Sequence, residues 1–139
     1  MKLIEKILEN SNVRIALEKV ITNKGAAGID GMKVEELRAY MNENWSSIKQ
    51  SILERSYKPA PVRKVAIPKP NGGVRKLGIP TVVDRTVQQS IVQILTPIFE
   101  AEFQENSYGF RPGRSCEQAV LKLLEYLNEG YEWIVDIDL

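Results

Sequence analysis

Val62-Arg63-Lys64-Val65-Ala66-Ile67-Pro68-Lys69-Pro70-Asn71-Gly72-Gly73-Val74-Arg75-Lys76-Leu77-Gly78-Ile79-Pro80 is the stretch on which the fold turns. Two runs rich in valine, isoleucine and leucine flank Pro70-Asn71-Gly72-Gly73, whose glycines accept the positive φ of a tight reversal. The pattern predicts an antiparallel β-hairpin over residues 62–80. Pro68 and Pro70 lack an N–H and restrict pairing near the tip. Matching apolar residues across the strands sets Ile67 against Leu77 and Val65 against Ile79, which places Lys69 opposite Arg75. Opposed cations repel unless an anion lies between them, with arginine offering a bidentate fork and lysine a point charge. A different register would send the two apart into solvent.

The charge around the hairpin is segregated. Residues 55–83 hold Arg55, Lys58, Arg63, Lys64, Lys69, Arg75 and Lys76 and no acid, although the 139-residue chain has a net charge of only +1. Such a block attracts polyphosphate or a nucleic-acid backbone through counterion release and long-range steering. The rest of the composition narrows the chemistry. One cysteine, Cys116, and no histidine exclude an internal disulfide, a Cys/His zinc site and any scheme that needs an imidazole of this chain. The N-terminal Lys2, Glu5, Lys6 and Glu9 interrupt the apolar residues there, so neither a signal-peptide core nor a membrane span is expected. A soluble protein of a reducing, cytoplasmic setting fits.

Helical spacing extends on both sides. Leu3, Ile4, Ile7 and Leu8 suggest a first helix, and Val13, Ile15, Leu17, Val20 and Ile21 a second after a break at Asn10-Ser11-Asn12. Leu37, Tyr40, Met41, Trp45, Ile48, Ile52 and Leu53 mark one face of a helical stretch over 34–55, with a break expected near Asn42 to Asn44. Thr81-Val82-Val83-Asp84 has the form of a capping box that opens a long helix. Its expected buried stripe is Val83, Val87, Ile91, Ile94, Leu95 and Ile98, with Pro97 kinking or ending it. Ser115 and Gln118 form a second capping box before a helix that Gly130 ends.

Three further segments carry candidate chemistry. Asn23 to Gly31 holds three glycines at intervals of three, but no Gly-Lys-Ser/Thr follows, so a surface loop able to lie against a ligand backbone is expected rather than a nucleotide P-loop. Asn106 to Ser115 is a turn-rich loop bearing Arg111 and Arg114; the latter precedes a helix start, where the macrodipole disfavours a cation. Finally, Trp133-Ile134-Val135-Asp136-Ile137-Asp138-Leu139 reads as an apolar strand with Asp136 and Asp138 on one face. Two carboxylates in such a strand point to a divalent metal or to solvent at an edge.

Taken in order, these pieces resemble a reverse transcriptase of the group II intron kind, the intron-encoded maturases. The blocks that carry the resemblance are Gly28-Ile29-Asp30-Gly31, the run from Val62 to Gln89, the nonapeptide SYGFRPGRS from Ser107 to Ser115, and IVDIDL from Ile134 to Leu139. The resemblance implies an α+β fold: a helical fingers subdomain with an antiparallel hairpin, leading into the first palm strand. Its implied organisation is an N-terminal extension with the glycine loop over 1–32, fingers over 33–130, and a truncated palm strand over 131–139. It gives Lys69 and Arg75 the incoming nucleotide's triphosphate, and Asp138 the role of catalytic, metal-binding aspartate for two Mg²⁺ ions. Asp136 becomes a variable neighbour. Arg63, Lys64, Lys76, Arg85, Arg111 and Arg114 are the implied nucleic-acid contacts.

The implied partners are intron RNA, an RNA template with its DNA primer, and a dNTP, with no membrane and with a homodimer through the fingers or the exposed strand. The Asp-Asp turn that supplies the family's other metal ligands is missing from this sequence. The 139 residues are therefore expected to bind RNA and to catalyse nothing alone. Two alternatives stand beside this reading: a standalone RNA-binding module, and a retron or CRISPR-associated reverse transcriptase.

Overall fold

The computed structural model describes residues 2–137. Its elements are α1 (Leu3–Ile7), α2 (Asn10–Thr22), α3 (Val34–Leu53), β1 (Arg63–Pro68), β2 (Val74–Ile79), α4 (Val82–Glu100) and α5 (Cys116–Asn128). This is the expected mixed architecture, helices together with one two-stranded antiparallel sheet among the described residues. The chain divides into two compact units, residues 1–96 and 97–139.

In the first unit the core is built by helical periodicity. Val13, Leu17 and Val20 of α2 meet Val34, Leu37 and Met41 of α3 and Val82 at the start of α4. The spacings of three and four keep each set on one stripe. Full burial of such side chains stabilises by about 1.5–3 kcal/mol each, and Leu37 and Val82 are wholly buried.

Three local expectations give way to the structure and a fourth is narrowed. Asn10 to Asn12 is the first turn of α2, not a break. The reason lies in Asn12, which is buried: its Nδ2 donates to the carbonyls of Ile7 and Ser90 at 2.8 and 2.9 Å, and its Oδ1 accepts from Gln93. A side chain satisfied in this way does not compete with its own backbone. Likewise α3 runs unbroken through Asn42 to Asn44, where Asn44 donates from Nδ2 to the Tyr40 carbonyl. The buried face of α4 is Val82, Asp84, Thr86, Val87 and Ser90, so Val87 alone of the expected stripe is fully buried. Thr86 and Ser90 are tolerated there because their hydroxyls donate to the Val82 and Val87 carbonyls. Of the two outcomes expected at Pro97, a kink or an end, the end is excluded, since α4 continues to Glu100.

In the second unit α5 has the expected cap: Ser115 Oγ accepts from the Gln118 N–H, and Gln118 Oε1 accepts from the Ser115 N–H. Gly130, at φ +95°, follows its end. The expected strand is absent from residues 131–137, which pair with no other strand among the described residues. A strand needs a partner for its N–H and C=O groups, and within this unit no second strand offers one.

Candidate functional site

The hairpin of β1 and β2 presents the cation block. Its register is Val65 with Leu77, Ile67 with Arg75 and Arg63 with Ile79, two residues away from the expected pairing. Lys69 is therefore not opposite Arg75. The turn sets this outcome: Gly72 and Gly73 take φ of +87° and +86°, and the Lys69 N–H donates to the Gly73 carbonyl at 3.1 Å, closing the ladder there. Hydrophobic matching had little leverage, because nearly every hairpin residue is exposed on both faces.

The corrected register still brings the two cations together. With Lys69 across from Gly73 and Arg75 across from Ile67, alternation places Lys69 and Arg75 on one face as diagonal neighbours. Such neighbours lie about 7–8 Å apart at the backbone, within reach of one polyanion for two long side chains. Arg63 shares that face, while Lys64 and Lys76 occupy the other. Among the described residues the three ion pairs are Arg38 with Glu18, Arg111 with Glu100 and Lys122 with Glu125, so no cation of residues 55–83 is paired internally.

The other candidate arginines are placed differently. Arg85 donates from Nη2 to the Ala26 carbonyl at 2.6 Å, and its guanidinium fills the space that a Cβ on Gly25 would need. Gly28 is buried, with the Thr81 backbone where its Cβ would lie. The glycines of the first loop thus allow close approach to the start of α4, a role the sequence reading had given to a ligand.

Arg111 is held more completely. Its side chain is 6% exposed, donating from Nε and Nη2 to Glu100 Oε1 at 3.0 and 2.6 Å and from Nη1 to the carbonyls of Gln104 and Ser107. It also lies over the Phe103 ring. The hydrogen bond from Arg111, then the charges of Arg111 and Arg114, hold the Glu100 carboxyl below its ordinary value despite some desolvation. Arg114 stacks over Tyr108 at 5.5 Å and makes no ion pair among the described residues, Glu117 included.

The metal reading rests on a position outside the described residues, Asp138. Asp136 is described and exposed. No group of three or more metal-ligating side chains occurs among the described residues, so they do not by themselves assemble a Mg²⁺ site. No helix among them is long and apolar enough to cross a membrane.

The sequence reading missed the polar centre at the hairpin's root. Asp84 is 4% exposed and accepts from the Tyr57 hydroxyl at 2.5 Å, the Thr81 hydroxyl at 2.7 Å and the Ala60 N–H at 3.1 Å. Burial, then the hydrogen bond to Asp84 and its charge, raises the Tyr57 phenol well above its ordinary value. The capping pattern of Thr81 and Asp84 was the available signal, and the predicted cap is present, with Thr81 Oγ1 accepting from the Asp84 N–H.

Comparison with known proteins supplies the context. Residues 67–139 match the profile of a family described as reverse transcriptase (RNA-dependent DNA polymerase). Over 144 residues the chain is 34% identical to protein YkfC of Escherichia coli, covering 99% of this chain and 38% of that protein. It is 36% identical over 126 residues to the group II intron-encoded protein LtrA of Lactococcus lactis, covering 90% of this chain and 21% of LtrA. A shorter match, 43% identical over 56 residues, covers 40% of this chain and 8% of nuclear intron maturase 2 of Arabidopsis thaliana. Among solved structures, a chain of a partial Cas6-RT-Cas1–Cas2 complex shares the fold with a TM-score of 0.57 at 18% identity, over 99% of this chain and 22% of that one.

Proposed function

Because the chain belongs to the reverse transcriptase family, with relatives among group II intron-encoded proteins, we propose that it forms the nucleotide-holding fingers of an RNA-directed DNA polymerase. The single observation that carries this is the pair Lys69 and Arg75, on one face of an exposed hairpin that has no acid and no internal ion pair. Arg75 offers a fork to one phosphate group and Lys69 a point charge to the next, which suits an incoming dNTP. Lys64 and Lys76 lie on the opposite face, so an RNA backbone there need not compete with the triphosphate. Arg63 extends the cationic face of the hairpin available to template, primer or intron RNA, and Arg114 is proposed as a separate contact of the second unit.

Asp138 is proposed as one carboxylate of a two-Mg²⁺ site that stabilises the attacking and leaving oxygens. The ions sit about 3.5–4 Å apart in such sites and need carboxylates from more than one segment. This chain spans 38% and 21% of the lengths of YkfC and LtrA, and its sequence contains no Asp-Asp pair. On its own it is proposed to bind and not to polymerise.

The test uses a polymerase polypeptide that carries this chain. Arg75→Ala is expected to raise the nucleotide KM by at least about tenfold while changing RNA affinity by less than about twofold. Equal losses in both would overturn the triphosphate assignment. Asp138→Ala should abolish polymerisation, a loss of at least about 10³-fold, and spare RNA binding. Loss of both together would count against the metal role.

A further inference from the structure

We propose that Asp84 is a positioning residue that fixes the hairpin on the helical body, so that the place where Lys69 and Arg75 present a polyphosphate depends on a carboxylate that touches no anion. The hairpin has little packing of its own to orient it: of its strand residues Val65 and Ile79 alone are half-buried, and the rest are exposed. Two-stranded hairpins are marginal in isolation. Its direction must therefore be set at its two roots.

Asp84 ties both. Ala60 lies three residues before β1 and Thr81 two residues after β2, and both donate to the same oxygen, Oδ2. Tyr57, at the exit from α3, donates to the other oxygen, Oδ1. Three donors from the outgoing chain, the returning chain and the helix exit thus converge on one side chain, itself fixed in the first turn of α4. All three donors are neutral, and an unpaired carboxylate is costly to bury, so the arrangement holds only while each hydrogen bond is made. The lever is long. From Arg63 to Lys69 an extended chain spans about 20 Å, so about 10° of freedom at the root moves the tip by roughly 3.5 Å. Lys69 and Arg75 ride on the tip together, so such freedom would displace a held polyphosphate relative to the helical body by more than catalytic positioning tolerates.

The inference rests on the triphosphate reading of the tip, and the experiment separates the two. The full 139-residue chain carries Cys116→Ser, which removes its exposed thiol, and spin labels at residues 43 and 71 on α3 and the turn. Label distances report the hairpin, and tripolyphosphate titration reports the tip. Asp84→Asn retains an acceptor for Ala60 and Thr81 and can donate to the Tyr57 oxygen, so it should keep the narrow distance distribution and bind within about twofold of wild type. Tyr57→Phe should broaden the distribution, and Asp84→Ala should broaden it further at unchanged helix content, with tripolyphosphate affinity staying within about twofold of wild type because both cations move with the tip. A narrow distribution in Tyr57→Phe overturns the inference, and this variant decides the matter even if Asp84→Ala does not fold. If Lys69→Ala with Arg75→Ala leaves tripolyphosphate binding unchanged, the triphosphate reading falls while the distances still judge the clamp.

Discussion

The hairpin of residues 63–79 and the loop of residues 106–115 carry cations in settings that look alike in sequence: both contain prolines and glycines, and both were expected to touch nucleic acid. Their structures use those cations in opposite ways. In the loop, Arg111 gives its N–H groups to Glu100, Gln104 and Ser107 and braces the segment from within. In the hairpin, no cation has an internal acid, and both faces meet solvent. A guanidinium in a turn-rich loop is a ligand-binding group only when the loop does not need it to satisfy its own carbonyls.

That contrast can be broken most sharply by charge removal in the hairpin. Replacing Arg63, Lys64 and Lys76 by alanine together should weaken RNA binding by about 10- to 100-fold at low salt and flatten the salt dependence by two to three units of slope. Because these side chains are exposed and unpaired, stability should change by no more than about 0.5 kcal/mol per site. Titration of RNA over a salt series, beside a denaturant melt, reads both. A melt that shifts as strongly as the binding would show that the hairpin cations act within the fold, as Arg111 does.

Arg111→Ala should give the reverse pattern at smaller amplitude. Amide exchange over residues 104–115 should rise about tenfold as the carbonyls of Gln104 and Ser107 lose their donor, while RNA affinity moves less than about twofold. Arg111→Lys should fail to restore protection, because one ammonium cannot reproduce the fork that meets a carboxylate and two carbonyls at once. A large loss of RNA affinity with unchanged exchange would return Arg111 to the interface.

Periodicity made the helices legible, and the turn chemistry of Pro70 to Gly73 made the hairpin legible, since both signals are local. The register was not, because the apolar pattern constrains pairing only where one face is buried, and here a backbone bond at Lys69 decided it. The grouping of Lys69 with Arg75 survived the register error because a shift of two residues preserves the face. Long-range polar pairing was the least legible feature. Nothing near Tyr57 announces a carboxylate 27 positions away, and nothing near Asn12 announces Gln93. Aspartate and asparagine in apolar helices look like surface or break residues until their partners are seen. The expected palm strand failed for a related reason: a strand is a property of two segments, and residues 131–137 have no partner strand among the described residues.

The two regions should also fail at opposite ends of the pH scale, which is the smallest effect and the most discriminating. The hydrogen bond from Arg111, followed by the nearby positive charges, holds the Glu100 carboxyl below its ordinary 4.5. The folded state binds fewer protons there than the unfolded one, so the stabilisation is present above pH 4.5 and is lost as pH falls through the lowered value. At the hairpin root, burial and then the bond to Asp84 raise the Tyr57 phenol above its ordinary 10.0. That stabilisation is present below pH 10.0 and is lost as pH rises beyond it, when the unfolded phenol ionises first. Amide exchange followed segment by segment should show residues 104–115 opening first in acid, and residue 60 and the residues around Thr81 opening first in base. Glu100→Gln should abolish the acid response and Tyr57→Phe the basic one, each without touching the other. A common midpoint for the two segments would mean that the pH response belongs to global unfolding, and the separate roles of the internal arginine and the hairpin clamp would have to be given up.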